Sequence, residues 1–92
     1  MTVRIRFFAR FRELFGTDII AEAGAGMTLI SLVTTLAQKN PEGYAAIFDE
    51  NGAFREFVIL MKNGRRIDTA DASTTLIADG DEIAVFPPVA GG

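Results

Sequence analysis

Only one stretch of this chain carries helical periodicity long enough to cover a sheet, and that limits what the rest can become. Between Thr28 and about Lys39, the residues Leu29, Leu32, Val33 and Leu36 fall on one helical face, while Ser31, Thr34, Thr35 and Gln38 lie elsewhere. Thr28 is placed to cap the start, and Asn40-Pro41 to stop the end. A single apolar stripe needs a single apolar surface, and the flanking segments supply it as strands. From Val3 to Phe8 the residues alternate, with Val3, Ile5 and Phe7 on one side and Arg4, Arg6 and Phe8 on the other. Glu82 to Phe86 repeats the pattern, with Ile83 and Val85 sharing a face. Phe11 to Leu14 makes one turn ending at Gly16, and Thr17 to Glu22 returns as a second strand to form a hairpin. Phe57 to Met61 and Arg66 to Ile67 flank Asn63-Gly64, a pair that favours the positive φ angles of a tight hairpin turn. Asp79-Gly80 turns the chain into the last strand. Residues 42 to 56 are ambiguous, with a short helix around Tyr44 to Phe48 and a polar loop at Asp49 to Gly52.

The resulting order is β-β-α-β-β-β. Connection rules favour a mixed sheet on one main helix, with the first and last strands side by side as a parallel central pair. The predicted class is therefore α+β, a β-grasp or ubiquitin-like domain over residues 1 to 86, with an extended tail over 87 to 92. Parallel central strands bring Phe8 and Phe86 to the same end of the open sheet face, beside the exit of the tail. Two exposed aromatics there predict a partner-binding patch. Arg4, Arg6, Arg10 and Arg12 share strand parity, so a strand continued that far would set them around Phe8. They read as a docking rim for an acidic partner, as a nucleic-acid contact, or as a solvated face.

Composition narrows the chemistry. The 92 residues include no Cys and no His. That removes disulfides, thiolate nucleophiles, thiolate zinc sites, His-based triads and imidazole-ligated metals. An autonomous enzyme is hard to build from what remains. The net charge of −3 gives no general attraction to nucleic acid or an anionic membrane. No signal peptide or long apolar run is seen, since Arg4 and Arg6 interrupt the first apolar segment, and the default location is the cytoplasm. Asp68, Asp71, Asp79 and Asp81 lack the spacing of a calcium loop, so no metal site is expected. Gly24-Ala25-Gly26 reads as a turn, because Leu29 stands where a phosphate loop would need its third glycine.

The remaining feature is the end, Phe86-Pro87-Pro88-Val89-Ala90-Gly91-Gly92. The prolines fix φ and bias their neighbours toward extended backbone, which makes a semi-rigid stalk. From Val89 to Gly92 the chain reaches roughly 13 Å at full extension. Two glycines in succession are thin enough for a narrow channel. On this pattern alone the tail fits either a functional arm or the small, functionless end that many chains carry.

At this point the sequence resembles the MoaD/ThiS family of ubiquitin-like sulfur carriers, most closely its molybdopterin synthase small-subunit branch. Three segments carry the resemblance: Phe7-Phe8-Ala9 with Arg12-Glu13-Leu14-Phe15-Gly16-Thr17, then Asp79-Gly80-Asp81-Glu82, then the Phe86-to-Gly92 end. It implies that the carboxylate of Gly92 is adenylated by an activating enzyme of the ubiquitin-activating type, which uses ATP and magnesium, and is then converted to a thiocarboxylate. This chain itself would bind no cofactor. Gly91 would give access to the channel, and Phe8, Arg12, Phe86, Pro87, Pro88, Val89 and Ala90 would bind the partner. The tail would enter the large subunit of molybdopterin synthase, in a heterotetramer whose catalytic groups belong to that subunit. This chain would then be a sulfur-donor subunit without catalytic residues of its own. The alternatives are a ubiquitin-like modifier joined through Gly92 to target lysines, a thiamine-type sulfur carrier, and a non-covalent binding module with an incidental tail. One departure is plain: Arg65-Arg66 follow Asn63-Gly64, where the best-known members contribute an apolar contact.

Overall fold

The computed structural model describes residues 1 to 87. Five strands form one sheet in the order β2-β1-β5-β3-β4. They are β1 (Thr2–Phe7), β2 (Asp18–Glu22), β3 (Ile59–Lys62), β4 (Arg65–Ile67) and β5 (Glu82–Phe86). β1 and β5 are the parallel central pair, with Ile5 opposite Ile83 and Phe7 opposite Val85. The other pairings are antiparallel. This is the β-grasp arrangement expected from the sequence.

The principal helix, α2 (Leu29–Ala37), begins where Thr28 Oγ1 accepts a hydrogen bond from Ser31 N at 3.2 Å. It ends two residues before Lys39. Leu29, Leu32, Val33 and Leu36 are all buried, in one cluster with Val3, Ile5, Phe7, Leu60, Ile83 and Val85. Each of these side chains contributes roughly 1.5–3 kcal/mol by leaving water.

Two further helices extend beyond the expected bounds: the short helix expected around Tyr44 to Phe48 is present and starts three residues earlier. The turn expected at Phe11 to Leu14 is a longer helix, α1 (Ala9–Phe15), inserted between β1 and β2. Arg10 and Arg12 therefore ride on a helix and do not continue the strand, which corrects the shared parity read for the four arginines. Asn40-Pro41 ends α2 and also starts α3 (Pro41–Ile47): Asn40 Oδ1 accepts from Gly43 N at 3.1 Å, and Pro occupies the first helical position. The Asn40 amide also donates to Leu14 O at 2.8 Å, which ties the end of α1 to this corner. Gly43 is required by proximity, since a Cβ there would lie 2.1 Å from the tip of the Phe15 ring. Phe15 in turn stacks on Phe7 at 4.7 Å, so α1 is anchored to the end of β1.

Phe57, expected inside a strand, lies instead in a turn at φ 72° and is 69% exposed. The turn is closed by Val58 N donating to Arg55 O at 3.2 Å. Asn63 and Gly64 both have positive φ, as the predicted hairpin turn requires. No helix among the described residues is long and apolar enough to cross a membrane.

Candidate functional site

The alternation of β1 and β5 decides which side chains face away from the helices. Thr2, Arg4 and Arg6 pair with Glu22, Ile20 and Asp18 on one side. Arg4 and Arg6 pair with Glu82 and Ala84 on the other, and Ile59 and Met61 continue the row opposite Phe86 and Ala84. The open face thus carries most of its charge over β1 and β2, where Ile20 is also exposed, and is apolar beyond Glu82 at Ala84, Phe86, Ile59 and Met61.

Phe8 lies one residue beyond β1, yet its N–H still donates to Val85 O at 3.2 Å, so the parallel pairing continues and its side chain keeps the outward parity. Its ring stacks on Phe86 with centroids 4.3 Å apart and planes 9° from parallel. Both rings are half-buried. The chain then turns sharply at Ala9, whose φ of 52° is in the left-handed region and costs about 1–2 kcal/mol for a non-glycine residue. The predicted aromatic pair is therefore present, at the end of β5 where Pro87 leads into the tail. Pro88, Val89, Ala90, Gly91 and Gly92 lie outside the described residues.

Of the predicted partner residues, Phe8, Phe86 and Pro87 are brought together by the β1–β5 pairing. Arg12 is exposed on α1. The guanidinium that lies over the Phe8 ring belongs to Arg6, whose Cζ is 5.4 Å from the centroid. Ile59, Met61 and Ala84 also border the aromatic pair, and sequence reasoning did not single them out. The signal was available, because Val58 and Leu60 alternate with Ile59 and Met61 at the period of a strand.

The electrostatics of the face are local. Arg4 donates to Asp18 through Nε at 2.8 Å and Nη2 at 2.5 Å. That hydrogen-bonded pair lowers the Asp18 carboxyl below its ordinary range and raises the Arg4 guanidinium. Asp79 and Asp81 have structural partners. Asp79 Oδ1 accepts from Thr2 N at 2.8 Å. Asp81 accepts from the Asn63 amide at 2.9 Å and from Ala78 N at 2.8 Å. Among the described residues no group of three or more acidic, His or Cys side chains could hold a metal ion. An open cleft of about 450 Å³ at the β4 edge, lined by Phe57, Val58, Arg66, Ile67, Asp68 and Thr69, offers one cation and one anion.

The β-grasp topology thus sets an aromatic pair at the end of β5, where Pro87 begins the tail. Comparison with known proteins agrees. The ThiS family profile matches residues 5–92, a span that includes Gly91 and Gly92. The chain belongs to the ThiS family. These are ubiquitin-like sulfur carriers, and relatives of this ThiS-family protein include small archaeal modifier proteins and molybdopterin synthase sulfur carrier subunits. Small archaeal modifier protein 3 of Haloferax volcanii is 38% identical, over 100% of both chains. A molybdopterin synthase sulfur carrier subunit of Aedes aegypti is 35% identical, over 98% of this chain and 88% of its own length. Among solved structures, SAMP1 from Haloferax volcanii matches with a TM-score of 0.86 over 100% of both chains at 24% identity, a likeness in fold.

Proposed function

We propose that this protein carries sulfur for the synthesis of the pterin cofactor of molybdenum or tungsten enzymes, with the carboxyl group of Gly92 as the carrying end. The observation that supports this most is the family match running through Gly91 and Gly92, together with the similarity to a molybdopterin synthase sulfur carrier subunit. In the proposed reaction a carboxylate oxygen of Gly92 attacks the α-phosphorus of ATP and pyrophosphate leaves, on an activating enzyme that holds the magnesium. A sulfide-level donor then attacks the acyl carbon and AMP leaves, giving a thiocarboxylate. The adenylate is needed because a bare carboxylate is a poor electrophile. The thiocarboxylate would enter the large subunit of molybdopterin synthase, where catalytic groups of that subunit direct sulfur to the pterin precursor. Phe8, Phe86 and the proline stalk would dock the domain so that the diglycine reaches the active site.

Pyrophosphate exchange into ATP, measured with the cognate activating enzyme, tests the reading. It is expected with the full chain and absent when Gly92 is deleted, while the deleted chain keeps its fold. Exchange that persists without Gly92 would contradict it.

A second reading is conjugation to protein lysines, which the 38% identity to a small archaeal modifier protein favours. Arg66 is the last basic residue, so trypsin would leave residues 67 to 92 on a modified lysine. A mass-spectrometric search for that branched peptide in cell lysate tests conjugation, and its absence under conditions where the thiocarboxylate forms would leave the carrier role alone.

A further inference from the structure

The chain holds three asparagines, and the residue after each decides what its side-chain amide can undergo. Asparagine is thermolabile, because the backbone nitrogen that follows it can attack the side-chain carbonyl carbon. Asn40 is exempt, since Pro41 has no N–H to give up. Asn51 and Asn63 both precede glycine, which has no side chain to hinder the approach. In sequence the two sites are alike, and in the fold both side chains are exposed. Their hydrogen bonds separate them.

At Asn63, Nδ2 donates to Asp81 Oδ1 at 2.9 Å and Oδ1 accepts from Glu82 N at 2.9 Å. Both atoms of that amide are tied to the start of β5, and swinging its carbon onto the Gly64 nitrogen breaks both bonds. At Asn51 neither side-chain amide atom is hydrogen-bonded among the described residues. Restraint there lies in the backbone: Asp49 Oδ1 accepts from Asn51 N at 2.8 Å and from Ala53 N at 3.1 Å, and Gly52 N donates to Asp49 O at 3.0 Å. These bonds close a surface turn between α3 and β3 in which Glu50, Asn51 and Ala53 are all exposed. Exposed turns open locally at low free energy, which frees the Gly52 nitrogen.

We propose that Asn51 is a site of spontaneous deamidation, while Asn63 keeps its amide. The Gly52 nitrogen gives its proton to hydroxide and forms a bond to Asn51 Cγ. The bond from Cγ to Nδ2 breaks, and Nδ2 takes a proton from water and leaves as ammonia, which restores the hydroxide. Water then opens the cyclic imide at either carbonyl, giving aspartate or isoaspartate, with nothing oxidised or reduced. Either product adds one negative charge to the surface turn, and isoaspartate also lengthens its backbone by one carbon.

The test is incubation of the full chain at mildly alkaline pH, folded in buffer and unfolded in urea, for the time the unfolded chain needs to convert both sites. Peptide mapping reads the replacement of NH2 by OH at each site: trypsin releases residues 40 to 55, and Glu-specific cleavage releases residues 57 to 82. In urea the two sites should convert at similar rates. In the folded chain Asn51 should convert about tenfold faster than Asn63 or more, the factor expected from the two hydrogen bonds that Asn63 must break. The folded Asn51→Ser chain should show no conversion over the same period. A folded chain that converts Asn63 as fast as Asn51, or one that converts neither while the unfolded chain converts both, would overturn the inference.

Discussion

At the start of β5, Asp81 is 8% exposed and hydrogen-bonded by the Asn63 amide and Ala78 N, while Glu82 N donates to Asn63 Oδ1 at 2.9 Å. At the other end of the same strand, Phe86 lies half-buried against Phe8, whose ring carries the Arg6 guanidinium. The first end is closed, because each of these polar groups has an internal partner and the β3–β4 turn is pinned to the sheet. The second end is more open, with two aromatic rings that the fold covers only in part. Burial stabilises the fold at one end and leaves binding potential at the other, only five residues apart.

The largest test of this contrast is at the aromatic end. Phe86→Asp should weaken binding to the activating enzyme by about 30-fold or more, the effect expected of a central aromatic anchor, and should leave thermal stability nearly unchanged. Titration of the pure variant against the enzyme would check it, and an equal loss of stability would show that Phe86 belongs to the core.

At the closed end the expectation reverses. Asp81→Ala strands the Ala78 N–H and the Asn63 amide, and should cost about 2–3 kcal/mol in denaturant unfolding while leaving KM for activation unchanged. Burial works to raise the Asp81 carboxyl, but the Ala78 N–H, the Asn63 amide and the Lys62 ammonium outweigh it, and the net shift is downward. A carboxyl lowered in the folded state contributes fully above its unfolded value of about 3.9 and loses that contribution as pH falls through the lower folded value. Acid unfolding of the unaltered chain should therefore steepen below about pH 4, and Asp81→Asn should flatten that part of the curve.

The smallest effect concerns Ala9, which carries backbone strain at the turn out of β1. Ala9→Gly should raise stability by about 0.5–1 kcal/mol in the same unfolding measurement, because glycine adopts φ 52° without the Cβ penalty. A loss of stability would show that the gain in chain entropy on unfolding outweighs the relief.

Local chemistry made much of this legible in the sequence. Alternation in Val3 to Phe8 and Glu82 to Phe86 fixed which side chains enter the core, and the parallel pairing then brought Phe8 and Phe86 together. Thr28, Asn63-Gly64 and Asp79-Gly80 were readable because each needs only its own neighbours. Asn40-Pro41 was read as a stop, although the same pair is also a start signal, with Asn as cap and Pro at the first helical position. Ala9 gave no warning, since alanine has no preference for positive φ. Phe57 continued an apolar run, and only the turn geometry moved it out of the strand. The diagonal choice of Asp18 for Arg4 over its register partner Arg6 depends on side-chain rotamers, which no sequence pattern encodes.

All of these contrasts serve one claim, that the chemistry of this His- and Cys-free chain belongs to the carboxyl group of Gly92. Intact-mass spectrometry after incubation with the cognate activating enzyme, ATP, magnesium and a sulfur donor tests it most directly. The chain should gain the mass of one oxygen exchanged for sulfur, located by fragmentation on Gly92, and the Gly92-deleted chain should gain nothing. An unchanged mass in the full chain, or the same gain without Gly92, would contradict the claim.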